Sequence, residues 1–220
     1  MNVKTPSLTL ASVALASLIG CSTPERLPEY SSAARTGGPA DSTIKSAESN
    51  GVVVSVEPFA DKARCETYFA INAPAAGIAI FHVRVENHSP DITWLLSKAQ
   101  CRLRVSGQNS SLAQANTSQS TSSGQAMAMT GAVLMGAVTM PVLIGLGGHQ
   151  IKHATTVQRN FTEKELLDRT LPPGDATEGF LYYQMPQKGS PFHGTLDVSL
   201  VNIANQQNNT LQIPIDYEPQ

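Results

Sequence analysis

Residues 77–91 read GIAIFHVRVENHSPD, and this stretch decides the fold. Phe81, Val83 and Val85 alternate with polar side chains. Successive side chains of a strand point to opposite faces, so this alternation predicts a strand with one face on a core. Asn-His-Ser-Pro at 87–90 then predicts a turn.

Six further segments have strand patterns of the same kind. They lie at residues 52–56, 93–96, 101–105, 180–183, 196–200 and 211–217. Turn residues separate them, as at Pro172-Pro173-Gly174. Seven or so short strands with such punctuation predict a mainly β fold, an antiparallel β-sandwich. Pro214 predicts that the last strand lies at an edge or that Pro214 faces outward.

One short helix is predicted. Thr162-x-x-Glu165 has the form of a capping box, with Phe161 and Leu166 at the two staple positions. The helix is expected to run from about Glu163 to Arg169 and to connect parts of the sandwich.

The first twenty residues, MNVKTPSLTLASVALASLIG, have the layout of a secretory signal, with a positive start at Lys4 and an apolar run. Leu18-Ile19-Gly20-Cys21 closes that run and resembles the lipobox of bacterial lipoproteins. The resemblance implies cleavage after Gly20, a diacylglycerol on the Cys21 thiol, and an acyl chain such as palmitate on the new N-terminus. By resemblance to Gram-negative lipoprotein sorting, Ser22 points to the outer membrane, facing the periplasm. The alternative is an ordinary cleaved signal with a chance cysteine.

Two stretches resemble extracellular immunoglobulin-like domains of lipoproteins. They are LPPGDATEGFLYY at 171–183, where a Pro-Gly turn introduces a strand of Gly and aromatics, and the 81–87 strand with its terminal Asn87. The resemblance implies an immunoglobulin-like sandwich. It implies no active residues.

The expected organisation is a signal peptide at 1–20, a flexible tether at 21–50, and a sandwich domain at 51–220. The tether is rich in Ser, Ala, Pro and Gly and has no apolar period. The domain is interrupted at 106–152 by a polar low-complexity stretch followed by an apolar one.

The apolar part of this insertion, residues 126–147, is AMAMTGAVLMGAVTMPVLIGLG. As a helix it is long enough to cross a bilayer core, and the small residues Ala128, Ala132 and Gly136 are four apart. Three alternatives are a transmembrane span, a helix or hairpin that associates with lipid or with copies of itself, and a helix packed on the protein's own sheet.

Cysteines and charge limit the function further. Export favours a disulfide between Cys65 and Cys101, the alternative being two separate buried thiols. The formal net charge of −2 gives no basic excess to suit nucleic acid.

No catalytic motif with local spacing is present in the sequence. His149 and His153 are four apart, but no nearby ligand completes a metal site, so neither metal nor cofactor is expected. The leading hypothesis is a lipid-anchored envelope lipoprotein, a non-enzymatic binding or structural module with an envelope protein partner or self-association. The alternatives are an oligomeric assembly or pore component that uses 126–147, and an unrecognised periplasmic hydrolase.

Overall fold

The computed structural model describes residues 27–30, 43–108, 111–112, 114–116, 138–139 and 151–220, and these are mainly β-structure. The strands are β1 (Lys45–Ser49), β2 (Val52–Phe59), β3 (Ile78–Asn87), β4 (Trp94–Leu96), β5 (Arg102–Val105), β6 (Ser111–Leu112), β7 (Ala115–Asn116), β8 (Val138–Thr139), β9 (Arg169–Leu171), β10 (Ala176–Gln184), β11 (Phe192–Asn202) and β12 (Asn208–Tyr217). The helices are α1 (Lys62–Phe69), α2 (Ala73–Ala76) and α3 (Ile151–Lys164).

Two antiparallel sheets form the body of the domain. The first sheet has the order β1-β2-β3-β10. In the second sheet the long strand β11 pairs with β12 along one edge, and with β5 and then β4 along the other. Strands β6 and β9 extend this sheet beyond β5 and β4. All seven predicted strands are present, as β2, β3, β4, β5, β10, β11 and β12.

The two sheets share one hydrophobic core, which we call the central core. The first sheet contributes β2, β3 and β10 side chains such as Val54, Val83 and Leu181. The second contributes Leu103, Val198, Ile213 and others. This confirms the predicted mainly β fold with two antiparallel sheets. Pro214 is exposed on β12, opposite Thr195 of β11.

Strand β3 is buried on both faces. Its residues Ile78 to Val83 are all buried. One face lies in the central core, and the other lies beneath α1 and α3 in a second apolar layer, the outer cluster. Phe59, Phe69, Phe161, Phe180 and Tyr182 are its largest members. The first sheet is therefore covered on both sides at this end.

The folded domain begins before Gly51, inside the range predicted as tether. Strand β1 pairs with β2 across a two-residue connection, Asn50-Gly51, with φ of 51° and 73°. Positive φ at both positions is the geometry that Asn-Gly adopts in tight hairpins. The pairing is the reason that the polar segment Lys45–Ser49 is a strand, with Ala47 packed on the central core.

The helix predicted at Glu163–Arg169 is wrong in its bounds, because α3 ends where that helix was to begin. Thr162 does not cap a helix: its Oγ1 donates to the carbonyl oxygen of Gln158 at 3.0 Å, one turn earlier in α3. After α3 the chain joins the first sheet, where the Leu166 amide donates to the Phe180 carbonyl at 2.9 Å. Helix α1 was not predicted, although Asp61 caps it by accepting from the Arg64 amide at 2.7 Å.

The chain pairs with strand β10 on both sides of the apolar segment. Gln114 forms an isolated bridge with Tyr183, and Glu165 forms one with Phe180. Of the apolar segment 126–147, only Val138–Thr139 lies within the described residues, as a short parallel pair with Ala115–Asn116. Within the described parts of the chain, no helix combines the length and apolar character that a membrane span requires.

Asn87 joins the end of β3 to the turn after it. Its side chain is fully buried. Its Nδ2 donates to the carbonyl oxygens of Ile92 at 2.8 Å and Leu171 at 2.9 Å, and its Oδ1 accepts from the Ser89 amide at 3.0 Å. One amide side chain thus connects the two sheets through their backbones.

We expect Asn87→Asp to destabilise the domain by about 3 kcal/mol, because a carboxylate oxygen would replace a donor that faces two buried carbonyls. Urea unfolding followed by circular dichroism measures the change. Asn208→Asp, at an exposed position, should change the free energy of unfolding by less than about 0.5 kcal/mol. Equal effects of the two substitutions would contradict the assigned role of Asn87.

Candidate functional site

The candidate site is a pocket on the outer face of the first sheet, and it holds the side chain of Tyr30. We call it the Tyr30 site. Its walls are the rings of Phe59, Tyr68, His82 and Phe180, and its polar groups are Glu57 and Arg64.

Strand alternation positions most of these walls. Val54 and Val56 of β2 point into the central core, so Glu57 and Phe59 belong to the outer side with the helices. Register then places Glu57 beside His82 of β3, and His82 beside Phe180 of β10. Helix α1 packs on this outer face and adds Arg64 and Tyr68 to the site.

The Tyr30 ring meets all four walls edge to face. Its centroid lies 4.7 Å from that of His82, 4.9 Å from Phe59, 5.4 Å from Tyr68 and 5.7 Å from Phe180. Such aromatic pairs each contribute about 0.5–1.5 kcal/mol beyond area burial. The ring is therefore seated in an aromatic pocket.

A buried carboxylate receives the Tyr30 hydroxyl. The phenol donates to Oε2 of Glu57, and Nη2 of Arg64 lies 2.7 Å from Oε1 of the same residue. Glu57 is only 2 % exposed. A carboxylate so far from water needs partners of this kind, since removing one leaves a costly buried charge. The Arg64 guanidinium also lies over the Phe59 ring, 4.0 Å from its centroid.

His82 is a neutral member of the site. Burial lowers the pKa of its imidazole to about 4, against the charges of Glu178 and Glu57, which raise it, while Arg84 and Arg64 lower it further. Its Nε2 lies 3.8 Å from Oε2 of Glu178. The residue is only 3 % exposed, so His82 is a buried histidine of the sheet.

A cavity of about 410 Å³ opens beside the Tyr30 site. Tyr30 and Glu29 form part of its wall, together with residues 163–165, 167–169 and 177–180. Lys98 reaches this region and pairs with Glu165 at 2.8 Å. Tyr30 thus lies between the buried aromatic pocket and an open, charged cleft.

The predicted Cys65–Cys101 disulfide is absent from the structure, which has two separate buried thiols. Cys65 lies on α1 in the outer cluster, and Cys101 lies in the central core, so the two belong to different layers. Their sulfurs donate to carbonyl oxygens of Phe59 at 3.3 Å and Ser97 at 3.8 Å.

The other predicted site residues lie outside the described residues. They are the lipid-attachment residue Cys21, the small residues Ala128, Ala132 and Gly136, and His149. His153 lies on α3. Among the residues that the structure describes, no group of three His, Cys, Asp or Glu side chains could hold a metal ion.

The Tyr30 site is not marked by any local pattern in the sequence. Its residues come from five separate parts of the chain, so no local spacing marks them. One signal was available: Tyr30 is the single aromatic residue of the predicted tether. An isolated aromatic in a polar segment is a candidate anchor, because docking one ring buries a large apolar area.

Comparisons with known proteins identify no family. No protein-family model matches the chain, and no curated protein matches it. A solved structure that does match is described as a "putative lipoprotein (ycdA)" from Bacillus subtilis subsp. subtilis str. 168. The two are 10% identical with a TM-score of 0.41, and the match covers 80% of this chain and 39% of that one. The chain thus spans about two fifths of that protein's length, and a likeness this low carries no functional argument.

We expect acid to destabilise the native domain through His82. Its pKa of about 4 in the folded chain lies below the ordinary 6.5. Between these values the unfolded chain binds the proton and the folded chain does not, so the free energy of unfolding falls as the pH falls from about 6.5 to 4. The loss is on the order of 3 kcal/mol.

The measurement is urea unfolding at several pH values. His82→Gln removes the titrating group and should flatten the profile between about pH 6.5 and 4. His88→Gln, at a half-exposed position (58% of the side chain), should keep the native slope. An unchanged slope in His82→Gln would show that the imidazole does not titrate as described.

We expect the thiols to be inert in the folded protein. Burial raises the pKa of Cys65 to about 11 and that of Cys101 to about 12, so almost no thiolate forms at neutral pH. Maleimide labelling with peptide mass spectrometry should therefore modify neither in buffer and both in urea without reductant. Labelling in urea that needs a reductant would contradict the two separate thiols.

Proposed function

We propose that the protein is a lipid-anchored module of the cell envelope that acts by binding and not by catalysis. The single observation that supports the binding role is the pocket that holds the Tyr30 side chain. Four aromatic walls and one buried carboxylate form a pocket for a side chain, which is how ligand sites combine apolar surface with a few placed polar groups.

The membrane anchor rests on the sequence. Leu18-Ile19-Gly20-Cys21 resembles a lipobox, and Ser22 favours the outer membrane by resemblance to lipoprotein sorting. A lipid chain and an export signal would place the domain at an envelope membrane, where an envelope protein is the natural partner.

An immunoglobulin-like type is our proposal for the sandwich. In constant-type immunoglobulin domains the order A-B-E-D in one sheet faces C-F-G in the other. Here β2-β3-β10 corresponds to A-B-E, and β1 is added at the edge beside β2. The facing strands correspond to C (β4 and β5), F (β11) and G (β12). The insertion then replaces the connection between the strands that correspond to C and E.

The self-association alternative depends on residues 126–147, including Ala128, Ala132 and Gly136. Almost all of that segment lies outside the described residues. The assembly role and the hydrolase role therefore stay as predictions from the sequence.

We expect Cys21→Ser to abolish lipid attachment, because serine offers no thiol for the thioether. Metabolic labelling with a radioactive fatty acid, followed by immunoprecipitation, measures attachment. Cys101→Ser is the matched control, since Cys101 is buried in the fold. It should keep the label in whatever protein accumulates. Label retained in the Cys21→Ser chain would contradict the anchor.

A further inference from the structure

The Tyr30 site has the geometry of a receptor with its ligand. Its walls and its Glu57–Arg64 ion pair all belong to the folded domain, on β2, β3, β10 and α1. The occupant comes from a separate part of the chain. Residues 31–42 lie between Tyr30 and the next described residue, Thr43.

Two side chains of the occupying segment are partly buried. Tyr30 and Leu27 are half-buried, whereas Pro28 and Glu29 between them are exposed. The Tyr30 ring has four aromatic neighbours, and its hydroxyl donates to Glu57. Tyr30 is thus a half-buried aromatic with one charge-assisted hydrogen bond, and aromatic side chains of this kind are common anchor residues in recognition sites.

We propose that the Tyr30 site recognises a tyrosine side chain on an extended peptide segment, and that the chain's own residues 27–30 are its internal ligand. A tyrosine-bearing segment of another chain competes for the same pocket. This inference rests on the proposed binding role and names its class of ligand, and the peptide-binding property does not depend on the proposed anchor.

The site distinguishes tyrosine from its two nearest relatives. Phenylalanine fits the walls but gives Glu57 no hydroxyl, and a site built to bond a hydroxyl rejects the analogue that lacks it. Phosphotyrosine adds nearly two negative charges beside the Glu57 carboxylate. We therefore expect binding in the order tyrosine, phenylalanine, phosphotyrosine.

The internal ligand also limits how far the domain can lie from the membrane. This consequence rests on the proposed lipid at Cys21. With Tyr30 seated, nine residues join the anchor to the domain, at most about 30 Å. With Tyr30 displaced, twenty-four residues join it to Lys45, at most about 80 Å. A competing tyrosine would thereby let the domain move farther from the membrane surface.

The test measures binding of a fluorescein-labelled peptide, PERLPEYSSA (residues 24–33), by anisotropy. The protein is the full chain in detergent, native or with Tyr30→Ala. The peptide should bind Tyr30→Ala at least tenfold more tightly than it binds the native chain, because the internal ligand acts at a high effective concentration. Pro28→Ala, at an exposed position of the same segment, should exclude the peptide as the native chain does.

Two further arms test the chemistry of the seat. On Tyr30→Ala, the peptide with phenylalanine in place of tyrosine should bind at least tenfold more weakly, the value of one hydrogen bond to a charged group. The phosphotyrosine peptide should show no saturable binding. Adding Glu57→Gln should bring the tyrosine and phenylalanine peptides to within about threefold of each other.

Three results would overturn the proposal. They are a Tyr30→Ala chain that melts like the native chain and binds no peptide, equal binding to both chains, and equal binding of the tyrosine and phenylalanine peptides. If Tyr30→Ala does not fold, Tyr30→Phe replaces it, since it removes one oxygen and weakens only the internal ligand. If the peptide then binds Tyr30→Phe no more tightly than it binds the native chain, the proposal is overturned. Because no arm uses Cys21, failure here is separate from failure of the anchor.

Discussion

The burial of strand β3 on both faces is the constraint on which the rest of the structure depends. A strand with two buried faces needs a layer on each side of its sheet. The second sheet supplies one layer through the central core. Helices α1 and α3, together with Tyr30, supply the other. This outer layer also contains Glu57 and His82, so it holds a carboxylate and an imidazole away from water. The carboxylate is satisfied by Arg64 and Tyr30. The imidazole stays neutral.

Period-two patterns predicted the strands because polar and apolar side chains alternate clearly along them. Strand β1 escaped detection because Lys45–Ser49 contains no large apolar residue. Strand β1 forms because it pairs with β2 through the Asn50-Gly51 turn. Asn-Gly is itself a hairpin signal in the sequence, but the polar composition of the surrounding segment predicted a tether. The short helix was misplaced for a related reason. Thr162 can bond either to a following amide or to the preceding turn, and local sequence does not decide between them.

The candidate site was less predictable than the fold. Glu57, Arg64 and Tyr68 are close in the chain, but His82 and Phe180 join them only through the register of three strands. Tyr30 comes from a segment outside those strands. The cysteines show the same limit. Export to an oxidising compartment favours a bond between Cys65 and Cys101 whatever their surroundings, whereas the layer into which each side chain packs decides whether the sulfurs can meet.

The chain pairs with β10 on both sides of the long segment between Asn116 and Ile151, through the bridges at Tyr183 and Phe180. Those two bridges lie only three residues apart on one strand. A loop whose ends are held together in this way costs little more to close when it is longer, since each doubling of its length adds only about 0.6 kcal/mol of closure entropy. The closure cost of the domain is therefore nearly insensitive to the number of residues between the two bridges.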